Sequence, residues 1–165
     1  MRTDLPSLLK KRLSLPLPGE TAQYLMAPQY RQYDHFPPEI EKDYRKSAVM
    51  ILLCKREQGD WFIPLTLRKE YPGIHSAQVS LPGGKYDESD GTLVQTALRE
   101  CFEEIGISGG IEILGELSRL YIPVSRFIVQ PVVAVYRHHE LQYRSHEREV
   151  EAIVEAPLDL LLGDE

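Results

Sequence analysis

The sequence predicts an α+β fold, an α/β/α sandwich around a mixed sheet, on three observations. Apolar, strand-length runs recur at short intervals from Ser47 to Leu158, and one long amphipathic helix with clear start and stop signals interrupts them. The chain has 165 residues, 42% of them hydrophobic and 27% charged, which suits a single domain with a real core. Its net charge of -6 argues against a general electrostatic grip on nucleic acid or an acidic membrane. An anionic ligand would need a local site or a metal.

Residues 1 to 46 form an arm distinct from the domain at 47 to 165. LPSLLKKRLS can make a short amphipathic helix with Leu5, Leu8, Leu9 and Leu13 inward, whereas LPLPGETAQYLMAPQYRQYDHFPPEI is rich in Pro and Tyr and has no sustained period. Tyr24, Tyr30 and Tyr33 are expected to pack rather than to stack on a base. SAVMILLC (47 to 54) and WFIPLTLR (61 to 68), separated by the turn-like EQGD, predict a hairpin. HSAQVSL (75 to 81) is a shorter strand running into Pro82, Gly83 and Gly84. After the helix, 111 to 122, 125 to 138 and 149 to 158 read as strands. Cys54 and Cys101 lie in apolar segments and read as small buried hydrophobes. With no membrane-length apolar run and no signal-like N-terminus, the expected compartment is the reducing cytoplasm.

The helix is predicted from about 92 to 105. Thr92 followed by Gln95 suggests a capping box, Asp90 adds negative charge at the start, and Gly106 suits the position after the last turn. Leu93, Val94, Ala97, Leu98, Cys101, Phe102 and Ile105 fill one half of the helical wheel. Glu100, Glu103 and Glu104 fall within an arc of roughly 100° on the other half, with Glu104 at the border of the apolar side and Arg99 beside Glu103. A solvated acidic face would tolerate this, since exposed like charges at i,i+4 cost only about 0.2–0.5 kcal/mol. The preceding SLPGG bend favours a ligand site instead, because paired glycines let backbone approach a ligand closely. Oxygen-only donors suit a hard cation, Mg²⁺ or Mn²⁺, that shares its coordination with substrate phosphates.

Gly84, Arg99, Glu100, Glu103, Glu104, Gly106 and Ile107 resemble the Nudix box, G-x5-E-x7-R-E-U-x-E-E-x-G-U with U aliphatic. Two departures stand out: Asp90 replaces the first Glu, and the interval from Gly84 to Arg99 is one residue longer. GGKYDESD and TALRE are similar to the branch that hydrolyses coenzyme A and its thioesters. Upstream, PLTLRKEYPGIHSAQVSLPGG agrees with that branch at Leu65, Thr66, Arg68, Pro82, Gly83 and Gly84. It differs at Lys69, Gly73, Ala77 and Leu81, and Gly73 stands where the branch has an Arg able to bind phosphate bidentately.

The resemblance implies a Nudix-type α/β/α sandwich and an enzyme. Its substrate would be a small-molecule nucleoside diphosphate linked to another moiety, foremost coenzyme A or a derivative, cleaved by water attack at phosphorus. ADP-ribose or a dinucleotide is the alternative substrate, and a non-catalytic nucleotide sensor the alternative class. The carbonyl of Gly84 with Glu100, Glu103 and Glu104 would hold Mg²⁺ or Mn²⁺, and Arg99 would orient the glutamates. Glu103, Glu147, Glu149 and Glu151 are candidates for the general base. Arg68, Lys69, His75 and Gln78 would contact substrate. Homodimers are common in the family. The usual long closing helix is short or absent after Pro157, so either residues 1 to 46 replace it or the product is truncated.

Overall fold

The chain is described by a computed structural model covering residues 4–25, 44–69, 78–138, 140–145 and 149–162. In chain order the elements are α1 (Leu5–Leu13), α2 (Glu20–Leu25), β1 (Arg45–Lys55), β2 (Trp61–Arg68), β3 (Val79–Ser80), β4 (Gly83–Lys85), a 3₁₀ turn (Glu88–Asp90), α3 (Leu93–Ile105), β5 (Ile111–Glu116), β6 (Leu120–Ile122), β7 (Phe127–Tyr136), β8 (Val150–Pro157) and α4 (Leu158–Leu162).

Among the described residues eight strands join one mixed sheet in the order β3-β2-β1-β7-β5, with β4 also on β1, β6 on β7 and β8 on β2. The β1–β7 pair is parallel, from Arg45 opposite Phe127 to Leu53 opposite Val135, and the other pairs are antiparallel. Both central strands are buried on two faces, which is why their sequences read as nearly unbroken apolar runs.

The period of two along β1 and β7 divides the core. Ala48, Met50, Leu52 and Cys54, with Val132 and Ala134, meet Ala97, Cys101 and Ile105 of α3. Leu53, Val133 and Val135 face the opposite way and pack with Leu9 and Leu13 of α1 and Leu158 of α4. Helices thus cover both faces, as the predicted α/β/α sandwich requires. Each fully buried Leu or Val contributes roughly 1.5–3 kcal/mol. Both cysteines are free and buried, and desolvation pushes both thiols up to about 12.

Several elements differ from expectation. The β1–β2 hairpin pairs only at Cys54–Phe62 and Lys55–Trp61; beyond that, β4 takes the place beside Ser47, Ala48 and Val49. The splay sets the Gly83–Gly84 bend between β1 and α3. The stretch from 111 to 122 is two strands rather than one. Pro131 of β7 has no N–H for a continuous ladder, the ladder shifts register between Ile113 and Gly115, and the side-chain amide of Gln130 donates instead to the Leu117 carbonyl at 2.8 Å.

On α1, Leu8 is 52% exposed rather than inward, while Pro6 is buried; Leu5, Leu9 and Leu13 form an i,i+4 line from which Leu8 is rotated away. On α3, Phe102 is 53% exposed and Glu104 is buried. Glu104 follows Ala97 by seven residues and therefore falls on almost the same line of the helix, whereas Phe102 lies far around the cylinder. The α2 helix was not anticipated. Tyr24 is half-buried in it, and Tyr30 and Tyr33 lie outside the described residues. Among the described residues no helix is long and apolar enough to cross a membrane.

Candidate active site

Local signals fix α3. The Thr92 side chain accepts from the Gln95 N–H at 3.2 Å, and Gly106 ends the helix in the left-handed conformation with φ 80°. Only this half of the predicted capping box is recorded at Thr92. The reciprocal arrangement belongs to the preceding turn, where Asp87 accepts from Ser89 N–H at 2.9 Å and Asp90 accepts from Asp87 N–H at 3.0 Å.

That turn presents Asp90 to Arg99. The guanidinium donates through Nε to Asp90 Oδ1 at 2.7 Å and through Nη2 to Asp90 Oδ2 at 3.1 Å. Its Nη1 reaches Glu100 at 2.8 Å and Glu103 at 2.9 Å, and Nη2 also meets the Lys85 carbonyl at 3.0 Å. Thr96 Oγ1 completes the shell of Asp90 at 2.8 Å. Arg99 holds the Asp90 carboxyl well below the usual carboxylate range, and Asp90 in turn holds the guanidinium protonated. The planar fork binds the 3₁₀ turn, β4 and two glutamates of α3 into one unit.

Asp90→Ala should therefore loosen the turn and the glutamates together. With Asp90 only 4% exposed in its side chain, the expected destabilisation is about 2–3 kcal/mol, between an exposed and a buried pair. Because the native carboxyl titrates below its unfolded value of 3.8, its contribution is present above about pH 4 and is lost as pH falls further. Urea unfolding at pH 7 and pH 3 checks this: the gap between parent and variant narrows at the lower pH, and an equal gap at both contradicts the clamp.

Glu104 sits deeper, 4% exposed. Its Oε2 accepts the Gly83 N–H at 3.1 Å, and its Oε1 lies 3.8 Å from Arg68 Nη2. Burial pushes its proton affinity up to about 7; the Gly83 N–H and Arg68 oppose this, while Glu100 and Glu149 add to it. Burial likewise raises Glu100 above the usual range, against the pull of Arg99, with Glu103 and Glu149 adding to the rise. Glu149, from the segment before β8, thus bears on both carboxylates, and its carbonyl accepts the Lys69 N–H at 3.2 Å.

Both glycines leave space that a Cβ would fill, against backbone at Gly83 and against a carboxylate at Gly84. A Cβ on Gly84 would lie 2.3 Å from Glu100 Oε1, and one on Gly83 would lie 2.5 Å from the Ala48 carbonyl. A cleft of about 450 Å³ opens beside this bend, with Arg68, Gln78, Gly84, Lys85 and Phe127 in its wall.

The structure therefore brings together Arg68, Gln78, Gly84, Arg99, Glu100 and Glu104. Glu103 stands at the rim, 51% exposed and tied to Arg99. Lys69 enters through its backbone bond to Glu149 rather than as cleft wall. His75 and Glu147 lie outside the described residues, and Glu151 is exposed on β8. The sequence reading missed the bidentate partnership of Asp90 with Arg99 and the place of Phe127 in the wall. For Asp90 a signal existed, since it occupies the motif's first acidic position.

Among the described residues no three His, Cys, Asp or Glu side chains already close on one point. The donor set nevertheless fits a divalent cation. Glu100 and Glu104 are desolvated neighbours one helical turn apart, both held against ionisation by burial and by Glu149, with Glu100 adding to the effect on Glu104, and added positive charge would relieve both.

Comparison with known proteins places the chain in a family and a fold. The NUDIX domain profile matches residues 44–162. The chain is 33% identical over 144 residues to Nudix hydrolase 15, mitochondrial, of Arabidopsis thaliana, covering 87% of this chain and 48% of that protein. It is 38% identical over 125 residues to the uncharacterized Nudix hydrolase NudL of Enterobacter sp. (strain 638), covering 73% of this chain and 63% of that one. It thus spans about half to two thirds of the length of these relatives. The NUDIX domain of Shewanella oneidensis NrtR, crystallised with ADP ribose, superposes with a TM-score of 0.56 at 20% identity over 84% of this chain and 89% of that one. The box residues, the sandwich that presents them and the matched profile lead to one conclusion: this chain belongs to the NUDIX domain family.

Proposed function

We propose that the chain hydrolyses the pyrophosphate bond of a nucleoside diphosphate linked to another moiety, with coenzyme A or a derivative as the preferred substrate and Mg²⁺ or Mn²⁺ as cofactor. The observation that carries this reading is the buried Glu104, fixed by the Gly83 N–H beside Glu100 and across from Arg68, at the edge of an open cleft. Such a desolvated carboxylate pair is unfavourable alone and suits a charged ligand.

Glu100, Glu104 and the carbonyl of Gly84 would hold the metal, with Glu103 at the rim. A divalent ion there supplies positive charge against the phosphate oxygens and lowers the pKa of the attacking water. Arg99 keeps Glu100 and Glu103 aimed by sharing its Nη1 between them, while Asp90 fixes the guanidinium from behind. Arg68, part of the cleft wall, offers its guanidinium to the diphosphate, and Gln78 can orient the adjoining group. Glu103 and Glu149 are the two candidates to take the proton from water, since both bear on Glu100 electrostatically.

The coenzyme A preference rests on GGKYDESD and TALRE; Gly73, in place of an Arg, favours ADP-ribose or a dinucleotide as the second reading. Release of 3′,5′-ADP from coenzyme A is expected to exceed release of AMP from ADP-ribose at equal substrate and saturating Mg²⁺. The reverse preference selects the second reading. Absence of product from any diphosphate would point to a binding module and overturn the hydrolase.

A further inference from the structure

Phe127 begins β7 and forms part of the cleft wall together with Val49, Ile122 and Val129. Behind it the Arg45 guanidinium stacks over the ring, 4.3 Å from the centroid. Arg45 does not swing freely, because its Nη2 donates to the Ser125 carbonyl at 2.6 Å. The two residues are register partners in the parallel β1–β7 pair, so both side chains emerge from one face of the sheet. An aromatic ring backed by a tethered cation and facing an open, mainly apolar cleft is a surface suited to a flat, polarisable partner.

Its distance from the carboxylates fits a nucleotide. The Arg45–Phe127 row lies three residues before the Ala48–Gly84 row along β1. That is roughly 10 Å along the strand, and β4 and β7, on opposite sides of β1, are roughly 10 Å apart across the sheet. Together the two offsets separate the backbone positions by roughly 14 Å, a gap that the Phe127 and glutamate side chains narrow and that a base, its ribose and an extended diphosphate span. The cleft, at about 450 Å³, also falls within the usual range of small-molecule sites.

We propose that Phe127 is the platform on which the purine base of the substrate stacks, with Arg45 as the positioning residue that holds the ring. The inference deepens the pyrophosphatase reading and rests on it for the location of the diphosphate. It assigns the nucleoside half of the substrate to the β1–β7 face and leaves the leaving moiety on the side of Arg68 and Gln78.

The test is calorimetric titration with ADP in the presence of EDTA, on the full chain and on Phe127→Leu, Phe127→Trp and Arg45→Met. Base stacking on an aromatic side chain is sequence-tolerant and substantial, so Phe127→Leu should weaken ADP binding about tenfold or more. Phe127→Trp should restore it, and ADP should quench the emission of the new indole more than that of Trp61 in the parent. Arg45→Met should give an intermediate loss, because its stem still packs on the ring. A general loss of folding in Phe127→Leu would leave the Trp variant and its quenching as the deciding readout.

Parent-like ADP affinity in Phe127→Leu would overturn the platform, as would absence of ADP binding to the parent. So would quenching of Phe127→Trp by 4′-phosphopantetheine and not by ADP. Phe127-dependent ADP binding in a chain that hydrolyses no diphosphate would support the platform while refuting the pyrophosphatase reading, so the two fail separately.

Discussion

Glu104→Gln is expected to lower kcat by at least about a thousandfold, roughly 4 kcal/mol of barrier, while leaving the fold intact. The substitution keeps the volume of a side chain buried between α3 and β4 and keeps a carbonyl oxygen for the Gly83 N–H, but removes the negative charge. Stability should move the other way. Burial raises the native carboxyl from 4.5 to about 7, so its contribution is complete below about pH 4.5 and is lost as pH rises through 7. Metal-free parent and variant should therefore match at pH 4.5, and above pH 7 the variant should be the more stable, by up to about 3 kcal/mol. Initial rates at saturating Mg²⁺, with urea unfolding in EDTA, measure both. A rate within tenfold of the parent would remove Glu104 from the site.

The neighbouring glycines should respond in opposite ways to the same added methyl group. At Gly84 the collision is with the carboxylate of Glu100, at 2.3 Å from Oε1, and this is the mobile end of a side chain. Gly84→Ala should displace that carboxylate from Arg99, costing about 1 kcal/mol of stability and roughly a hundredfold or more in kcat. At Gly83 the collision is with backbone, 2.5 Å from the Ala48 carbonyl and 2.7 Å from Val49 Cα, inside the β1–β4 pairing. Gly83→Ala should destabilise by about 2–4 kcal/mol, and its activity loss should follow the unfolded fraction. Thermal melts beside kcat for both variants separate the cases. A folded Gly84→Ala with parent kcat would show that Glu100 need not stay in place.

What was legible in the sequence was chiefly what local chemistry determines. Thr92 and Gly106 set the ends of α3 through their own hydrogen bonds and dihedral preference, and the apolar, strand-length runs of β1 and β7 marked the buried strands. The spacing of Arg99, Glu100, Glu103 and Glu104 sufficed to bring them close together on α3, where Arg99 bonds Glu100 and Glu103. Phe102 failed because a helical wheel gives direction without saying which neighbour covers it. The buried stripe of α3 turns toward Glu104, against β4 and the Gly83 N–H.

Other features depend on contacts distant in sequence. The break between β5 and β6 follows from Pro131, on a strand that comes later in the chain, and the short β1–β2 pairing follows from the intrusion of β4. Glu149 approaches Glu100 and Glu104 only because β8 runs antiparallel to β2 and brings the segment before it to the end that carries Arg68. No periodicity in the sequence encodes that approach. The Arg45–Phe127 stack was likewise hidden, since it joins two strands separated by most of the domain.

The central claim is that Glu100 and Glu104, at the double-glycine bend, form a divalent-ion site for a diphosphate. Titration of Mn²⁺, followed by loss of the free-ion electron paramagnetic resonance signal, tests it on the parent and on Glu104→Gln with ADP present. The account predicts saturable Mn²⁺ uptake by the parent, strengthened by ADP and weakened at least about tenfold in the variant. Equal uptake by both proteins, or no uptake by either, would contradict it.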